Sequence, residues 1–202
     1  MTYSTTERAT LLSVALASLR SGLQNGHALK PDACDYPSSL SETRACFVTL
    51  NQDNMLRGCI GSLEPCTSLV NSVADNAYAA AFRDPRFPEL TLPELAGLTI
   101  HISVLGPLQG VACDSEADLL RQMQPGIDGW VIQEKEFRGT FLPSVWETLP
   151  DARQFLDHLK MKAGLATDYW SDSMAVWRYS TESFFAAVKD IEKGTPMNGI
   201  AG

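Results

Sequence analysis

The residues best suited to catalysis or ligand binding lie in one short segment, residues 55–63, with the sequence Met-Leu-Arg-Gly-Cys-Ile-Gly-Ser-Leu. If this segment forms a β-strand, Arg57 and Cys59 share one face, because side chains alternate along a strand. They then lie roughly 7 Å apart, at about 3.3 Å per residue. A guanidinium group beside a thiol favours the thiolate, which is the reactive form of cysteine. The spacing therefore predicts a catalytic pair formed by Arg57 and Cys59.

Two glycines flank the cysteine and leave the backbone uncovered. Gly58 and Gly61 both lack a side chain, and Gly61 is predicted to open the entry to a helix, where free N–H groups bind anions. Together with Arg57 they predict a binding site for a carboxylate, a phosphate or an oxyanion. The alternative is structural: free cysteine is usually a small core residue, strand glycines permit close backbone packing, and Arg57 neutralises a nearby buried carboxylate. The residues leave both interpretations open.

Three residues outside this segment are further candidates. His101 lies on a predicted strand and supplies a base for Cys59 if the two strands are adjacent, whereas the alternative is a half-buried structural histidine. Asp84 and Arg86 lie in the sequence Asp-Pro-Arg-Phe-Pro. An ion pair between them either fixes the turn after a helix or contributes to ligand binding.

The sequence contains no metal or cofactor motif. Its three histidines are scattered, and no carboxylate lies at metal-ligand spacing from them. A P-loop, a Gly-x-Ser-x-Gly elbow and a dinucleotide-binding fingerprint are all missing from the sequence. We therefore predict no bound metal and no cofactor, and a small-molecule ligand is the simplest substrate class.

Composition narrows the class of protein. The chain has 202 residues and a net charge of −8, which argues against nucleic acid and anionic lipid as partners. No apolar run approaches the roughly 20 residues that cross a bilayer, and the first residues do not resemble a secretory signal. The five cysteines are odd in number and form no Cys-x-x-Cys pair. Reduced thiols in a cytoplasm are therefore expected.

The elements that position these residues follow no regular β-α-β order, so the predicted class is α+β. A helix at 7–23 is expected to be capped by Thr5 or Thr6 and to stop near Gly22. A loop follows at 25–40, and a helical turn is predicted from Thr181. Further helices are predicted at 67–82, 115–121 and 151–165, and strands at 44–50, 55–60, 98–105, 129–133, 137–142 and 175–179.

The motifs together resemble the AMMECR family, the family of the A protein in the AmmeMemoRadiSam system. The matching blocks run from about residue 10 to residue 185, and Leu-Arg-Gly-Cys-Ile-Gly is the hallmark of the family. The blocks are Phe47-Val-Thr-Leu50, Leu56-Arg-Gly-Cys-Ile-Gly61, Ala79-Ala-Ala-Phe82, Asp84-Pro-Arg-Phe-Pro88, Ile102-Ser-Val-Leu105, Gly139-Thr-Phe-Leu-Pro143 with Trp146, and Lys162-Ala-Gly-Leu165 with Trp170.

The resemblance implies a single domain over residues 1–202, with an antiparallel sheet, flanking helices and two closely joined subdomains. The larger subdomain is expected from both chain ends and the smaller one from the middle, with a frayed tail at 194–202. A groove between them is expected to bring Arg57, Cys59, Asp84 and Arg86 together. Lys160 departs from the family, which often has a cysteine near this position, and this puts in doubt any mechanism that requires a second cysteine there.

Two functions follow from these residues and from the resemblance. The first is an enzyme that uses Cys59, activated by Arg57 and His101, on a small anionic or nucleotide-like substrate. The second is a non-enzymatic adaptor that works with Memo-type and radical-SAM proteins, which accompany bacterial members of the family.

Overall fold

The computed structural model describes residues 2–194, which divide into two compact units. Residues 2–105 and 182–194 form the first unit, and residues 106–181 form the second. Each unit contains a four-stranded sheet with helices. The predicted α+β class with antiparallel sheets is confirmed. Apart from Gly194, the predicted tail at 194–202 lies outside the described residues.

Among its described residues, the first unit contains six helices, one of them a short 3₁₀-helix, and four strands. The elements are α1 (Thr5–Asn25), the 3₁₀-helix (Ala33–Asp35), α2 (Ser38–Ser41), β1 (Cys46–Gln52), β2 (Met55–Gly61), α3 (Leu69–Phe82), α4 (Leu92–Leu95), β3 (Leu98–Leu105), β8 (Thr181–Ala187) and α7 (Val188–Lys193). The four strands form a sheet with the order β2-β1-β3-β8.

The second unit, described at residues 106–181, contains three helices, one of them a 3₁₀-helix, and four strands. The elements are β4 (Gln109–Gly110), α5 (Glu116–Gln122), β5 (Gly129–Glu134), β6 (Phe137–Phe141), a 3₁₀-helix (Pro143–Glu147), α6 (Ala152–Ala163) and β7 (Ala175–Tyr179). The four strands form a sheet with the order β4-β7-β5-β6, and the predicted hairpin of β5 and β6 is confirmed.

The first unit's sheet has two chemically different faces, because side chains alternate along each strand. One face, here called the packed face, carries Cys46, Val48 and Leu50 of β1 with Ile100 and Ile102 of β3, all fully buried in the core that contains α1 and α3. The opposite face, here called the polar face, is only partly exposed. It carries Thr49, Asn51, Cys59, His101 and Ser103.

The limits of α1 differ from the prediction. Ser4, not Thr5 or Thr6, is the N-cap residue, and it forms a reciprocal capping box with Glu7. The helix also continues through Gly22 and ends at Gly26, which has a left-handed φ of 75°. Gly22 lies against the ring of Phe82, so its missing side chain serves close helix packing rather than termination.

The predicted helical turn from Thr181 is wrong. Residues 181–187 form strand β8, and only then does a helix follow. Phe184 and Ala186 are buried in the core, whereas Ser183 and Phe185 are partly exposed, which is the two-residue period of a strand. The adjacent pairs Phe-Phe and Ala-Ala obscure this alternation in the sequence.

Candidate functional site

The hairpin of β1 and β2 carries the cysteine. Its turn contains Asp53 and Asn54, which both have positive φ, as two-residue hairpin turns require. Leu50 pairs with Gly58, but Asn51 pairs with Leu56, so Arg57 has no partner of its own on β1. This shift in register is a β-bulge, a feature that redirects side chains.

Because of the bulge, Arg57 and Cys59 do not share one face of the strand as predicted. With strict alternation broken, Arg57 and Gly58 both lie opposite Leu50, and both are buried. Cys59 instead lies opposite Thr49 and is partly exposed. The two-residue spacing therefore does not place Arg57 beside the thiol.

Arg57 is 8% exposed and forms an ion pair with Glu94 of α4. Its Nε donates to Glu94 Oε1 at 2.9 Å, and its Nη2 donates to Oε2 at 3.4 Å. Hydrogen bonds from Arg57 and Thr91 lower the pKa of Glu94 to about 2. The same carboxylate accepts the backbone N–H and hydroxyl of Thr91, so the pair also stabilises the first turn of α4.

The backbone of Cys59 is held by two side chains from the segment after α3. Its N–H donates to Asp84 Oδ2 at 2.9 Å, and its carbonyl accepts from Arg86 Nη2 at 3.3 Å. Arg86 also donates from Nε and Nη2 to the two carboxylate oxygens of Asp84, at 2.9 and 2.6 Å. This ion pair lowers the pKa of Asp84 and raises that of Arg86. Both predicted residues therefore contact Cys59, through its backbone.

The thiol of Cys59 belongs to a row of side chains across the polar face. Thr49 lies directly opposite Cys59 on one side and directly opposite His101 on the other. The Thr49 hydroxyl donates to Cys59 Sγ at 3.1 Å.

His101 lies two strands from Cys59, because β1 separates β2 from β3. The condition for direct proton transfer, adjacent strands, is therefore not met. The imidazole stacks on Phe185 with ring centres 4.8 Å apart, and its Nε2 lies 3.3 Å from Asn51 Nδ2. Burial lowers the pKa of His101, so the ring is neutral at neutral pH.

The two glycines of the motif have packing roles. A side chain on Gly58 would collide with the Ala80 carbonyl of α3, so its absence lets the strand and the helix approach closely. A side chain on Gly61 would meet the ring of Phe47. The expectation that Gly61 opens a helix is wrong, because α3 begins at Leu69 with Ser68 as its cap.

The structure thus brings Cys59, Asp84 and Arg86 together and separates Arg57 and His101 from the thiol. Thr49 and Glu94 are the important residues that sequence reasoning missed. Thr49 could not have been found from the hairpin turn alone, because regular pairing from Gln52 and Met55 would place Cys59 opposite Val48, and only the bulge brings it opposite Thr49.

Among residues 2–194, no group of three or more His, Cys, Asp or Glu side chains is arranged to hold a metal ion. No helix in the described part of the chain is both long and apolar enough to cross a membrane.

The chain is similar to known proteins over most of its length. The model of the AMMECR1 family matches residues 12–184. Protein MJ0810 from Methanocaldococcus jannaschii is 35% identical over 157 residues, covering 74% of this chain and 76% of that protein. A protein from Methanothermobacter thermautotrophicus is 35% identical over 181 residues, covering 88% and 93%.

A solved structure is similar over almost the whole chain. The crystal structure of the uncharacterized protein PH0010 from Pyrococcus horikoshii has a TM-score of 0.86 and 30% sequence identity. The similarity covers 96% of each chain.

Proposed function

The chain belongs to the AMMECR1 family, and on that premise we propose that it is an enzyme whose nucleophile is the thiol of Cys59. Its substrate is a small molecule that binds on the polar face. The hydrogen bond from the Thr49 hydroxyl to Cys59 Sγ, at 3.1 Å, carries this proposal. It is a contact to the sulfur itself, and it helps to fix the position of the thiol.

The supporting residues hold the thiol rather than react. Asp84 and Arg86 fix both polar groups of the Cys59 backbone, which limits the positions that the sulfur can occupy. A fixed nucleophile meets its substrate with less loss of entropy on reaching the transition state. Arg57 supports the site indirectly, because its ion pair with Glu94 connects the bulge to α4. His101 is a binding group on the same face.

The test is a comparison of thiols within the same chain. Cys66 is exposed and Cys46 is buried, whereas Cys59 is partly exposed. We expect an alkylating reagent at neutral pH to modify Cys59 faster than Cys66 and to leave Cys46 unmodified, with each site followed by peptide mass spectrometry. Equal or slower modification of Cys59 relative to Cys66 would overturn the proposal.

A matched pair of variants tests whether the Thr49 hydroxyl causes the faster alkylation of Cys59. Thr49→Val removes the hydroxyl and keeps the shape of the side chain, so the rate at Cys59 is expected to fall. Ser103→Ala removes a hydroxyl of the same face that bonds Ser183 instead, and should leave the rate unchanged. A ligand that copurifies with the wild type and is lost from Cys59→Ser would name the substrate.

A second function, an adaptor for Memo-type and radical-SAM proteins, is favoured by a different observation. Three apolar side chains are exposed on elements that the Arg57–Glu94 pair connects: Met55 at 73%, Leu56 at 43% and Leu92 at 71%. We infer that they belong to one surface, since a continuous exposed apolar patch marks a site where another protein binds. Purified partners should bind the wild type and not Met55→Gln/Leu92→Gln, whereas Cys59→Ser should bind normally. Equal binding by all three proteins would exclude this surface.

A cytoplasmic location stays a prediction.

A further inference from the structure

The second unit contains a buried carboxylate that the site around Cys59 does not use. Glu134 is the last residue of β5 and is 3% exposed. Because side chains alternate along a strand, Glu134 shares one face of β5 with Trp130 and Ile132, which are buried in the core of this unit. The carboxylate therefore lies beside an apolar core, where an uncompensated charge is strongly unfavourable.

The other buried charged side chains of the described residues each meet an opposite charge. The pairs are Arg57 with Glu94, Asp84 with Arg86, and Lys160 with Glu116. Glu134 differs, because its Oε1 accepts only the hydroxyl of Ser173, at 2.8 Å. Its Oε2 is buried and has no hydrogen-bond partner in the described part of the chain. A buried acceptor of this kind needs either a hydrogen-bond donor or a cation.

Two serine hydroxyls lead from Glu134 towards the surface. Ser173 is exposed and gives its single hydroxyl proton to Glu134, so Ser171 is the donor in the 2.7 Å contact between the two hydroxyls. Ser171 Oγ in turn accepts the backbone N–H of Ser173 at 3.2 Å. Each hydroxyl oxygen thus accepts one hydrogen bond and keeps one lone pair free. The three side chains together offer free electron pairs on oxygen alone.

We propose that Glu134, Ser171 and Ser173 bind a hard metal cation, with Ca²⁺ as the ion that suits them best. Oxygen ligands select hard cations, and Ca²⁺ tolerates an irregular shell completed by water, whereas Mg²⁺ requires nearly ideal octahedral geometry. The bound ion compensates the buried charge of Glu134. This site is independent of Cys59 and of the function proposed above.

The ligand set explains why sequence motifs and groups of acidic side chains give no sign of this site. It has one carboxylate and two hydroxyls, so it is not a group of three or more His, Cys, Asp or Glu side chains. A low charge on the ligands also gives a low affinity, and we expect a dissociation constant of about 1 mM for Ca²⁺.

Terbium luminescence tests the site directly. Tb³⁺ substitutes for Ca²⁺ and emits when a nearby tryptophan is excited, and Trp130 lies roughly 13 Å along the strand from Glu134, at about 3.3 Å per residue. The full chain is first treated with EDTA and dialysed, and Ca²⁺, Mg²⁺ or Na⁺ is then titrated against bound Tb³⁺. The quantity measured is the part of the emission that each ion displaces.

Matched variants separate the site from the acidic surface, since a net charge of −8 attracts Tb³⁺ elsewhere as well. Glu134→Gln should lower the emission that Ca²⁺ displaces severalfold, and Ser173→Ala should weaken Ca²⁺ binding severalfold. Glu147→Gln removes an exposed carboxylate of the same unit and should match the wild type. In urea denaturation, Ca²⁺ at about tenfold its dissociation constant should raise the midpoint of the wild type but not that of Glu134→Gln.

Each contrary outcome decides against a part of the proposal. Equal displaceable emission in the wild type and Glu134→Gln would mean adventitious surface binding only and would overturn it, as would a wild-type urea midpoint that Ca²⁺ leaves unchanged. Displacement by Mg²⁺ or Na⁺ at a lower concentration than by Ca²⁺ would overturn the choice of ion. If Glu134→Gln fails to fold, Ser173→Ala decides, because the substitution lies at an exposed residue and unchanged Ca²⁺ binding would exclude the site.

Discussion

The two faces of the first unit's sheet each carry a cysteine, and the two cysteines differ in burial and in their contacts. Cys46 on the packed face is fully buried and contacts Ser72 and Asn76, and burial raises the pKa of its thiol. Cys59 on the polar face is partly exposed, contacts a hydroxyl, and has its backbone held by an ion pair. Residue type alone does not distinguish the two cysteines. The difference arises from strand register and from what covers each face.

The largest expected effect compares one glycine on each face. Gly58→Ala places a methyl group against the Ala80 carbonyl, which belongs to a helix backbone and cannot move freely. We expect a loss of about 3 kcal/mol in the free energy of unfolding, the upper end for an overpacked core. Gly61→Ala meets the ring of Phe47 and the backbone carbonyl of Cys46, so a loss of similar size is expected on the polar face, whereas Gly110→Ala meets no atom within 4 Å and should lose almost nothing. Urea denaturation measures all three variants, and an equal loss in Gly110→Ala would contradict this account.

A smaller effect concerns the ion pair at the bulge. The pKa of Glu94 falls from 4.5 to about 2 on folding, so the pair contributes stability above pH 4.5. This contribution is lost as the pH falls from 4.5 towards 2. Glu94→Gln should therefore be less stable than the wild type at pH 6, and the difference should shrink on acidification. Urea midpoints at a series of pH values measure it. Glu192→Gln, which affects an exposed pair with Arg20, should show almost no difference at any pH.

The smallest effect concerns the half-buried ring of the polar face. Burial lowers the pKa of His101 in the folded protein, and the Phe185 ring supplies part of that cover. Phe185→Ala should raise the pKa towards its ordinary value of 6.5. NMR titration of the ring protons measures the change. Phe87→Ala removes a ring that contacts Arg86 instead, and an equal change in that variant would count against this account.

The sign of the His101 effect on stability follows from the direction of its shift. A lowered pKa means that the folded protein favours the neutral ring. The associated stability is present above pH 6.5 and is lost as the pH falls below that value.

Much of the fold could be predicted because its signals are local. The strand Leu98–Leu105 and both hairpins follow from alternation and turn residues, and they are confirmed with limits close to those expected. Strand β8 could not be predicted in the same way, because its apolar residues occur in adjacent pairs and its strand character depends on the core beneath Phe184.

The site was less predictable because it depends on one extra residue. Strict alternation would have placed Arg57 next to Cys59, but the bulge that separates them is set by how Gly58 approaches α3 and by the partner that Glu94 provides. Neither contact has a signature in the sequence. Asp84 and Arg86 were identified from their own segment, but their contact with the Cys59 backbone depends on tertiary structure.

The contact of Asp84 and Arg86 with the Cys59 backbone also affects how copies of this protein can associate through the edge of the sheet. Strand β2 is the outermost strand of its sheet, and an outer strand offers free N–H and C=O groups to strands of other molecules. At Cys59 both groups are occupied by Asp84 and Arg86, so a foreign strand finds neither donor nor acceptor there. At this position the Asp-Pro-Arg segment therefore leaves the sheet edge no free backbone group with which a strand of another molecule could pair.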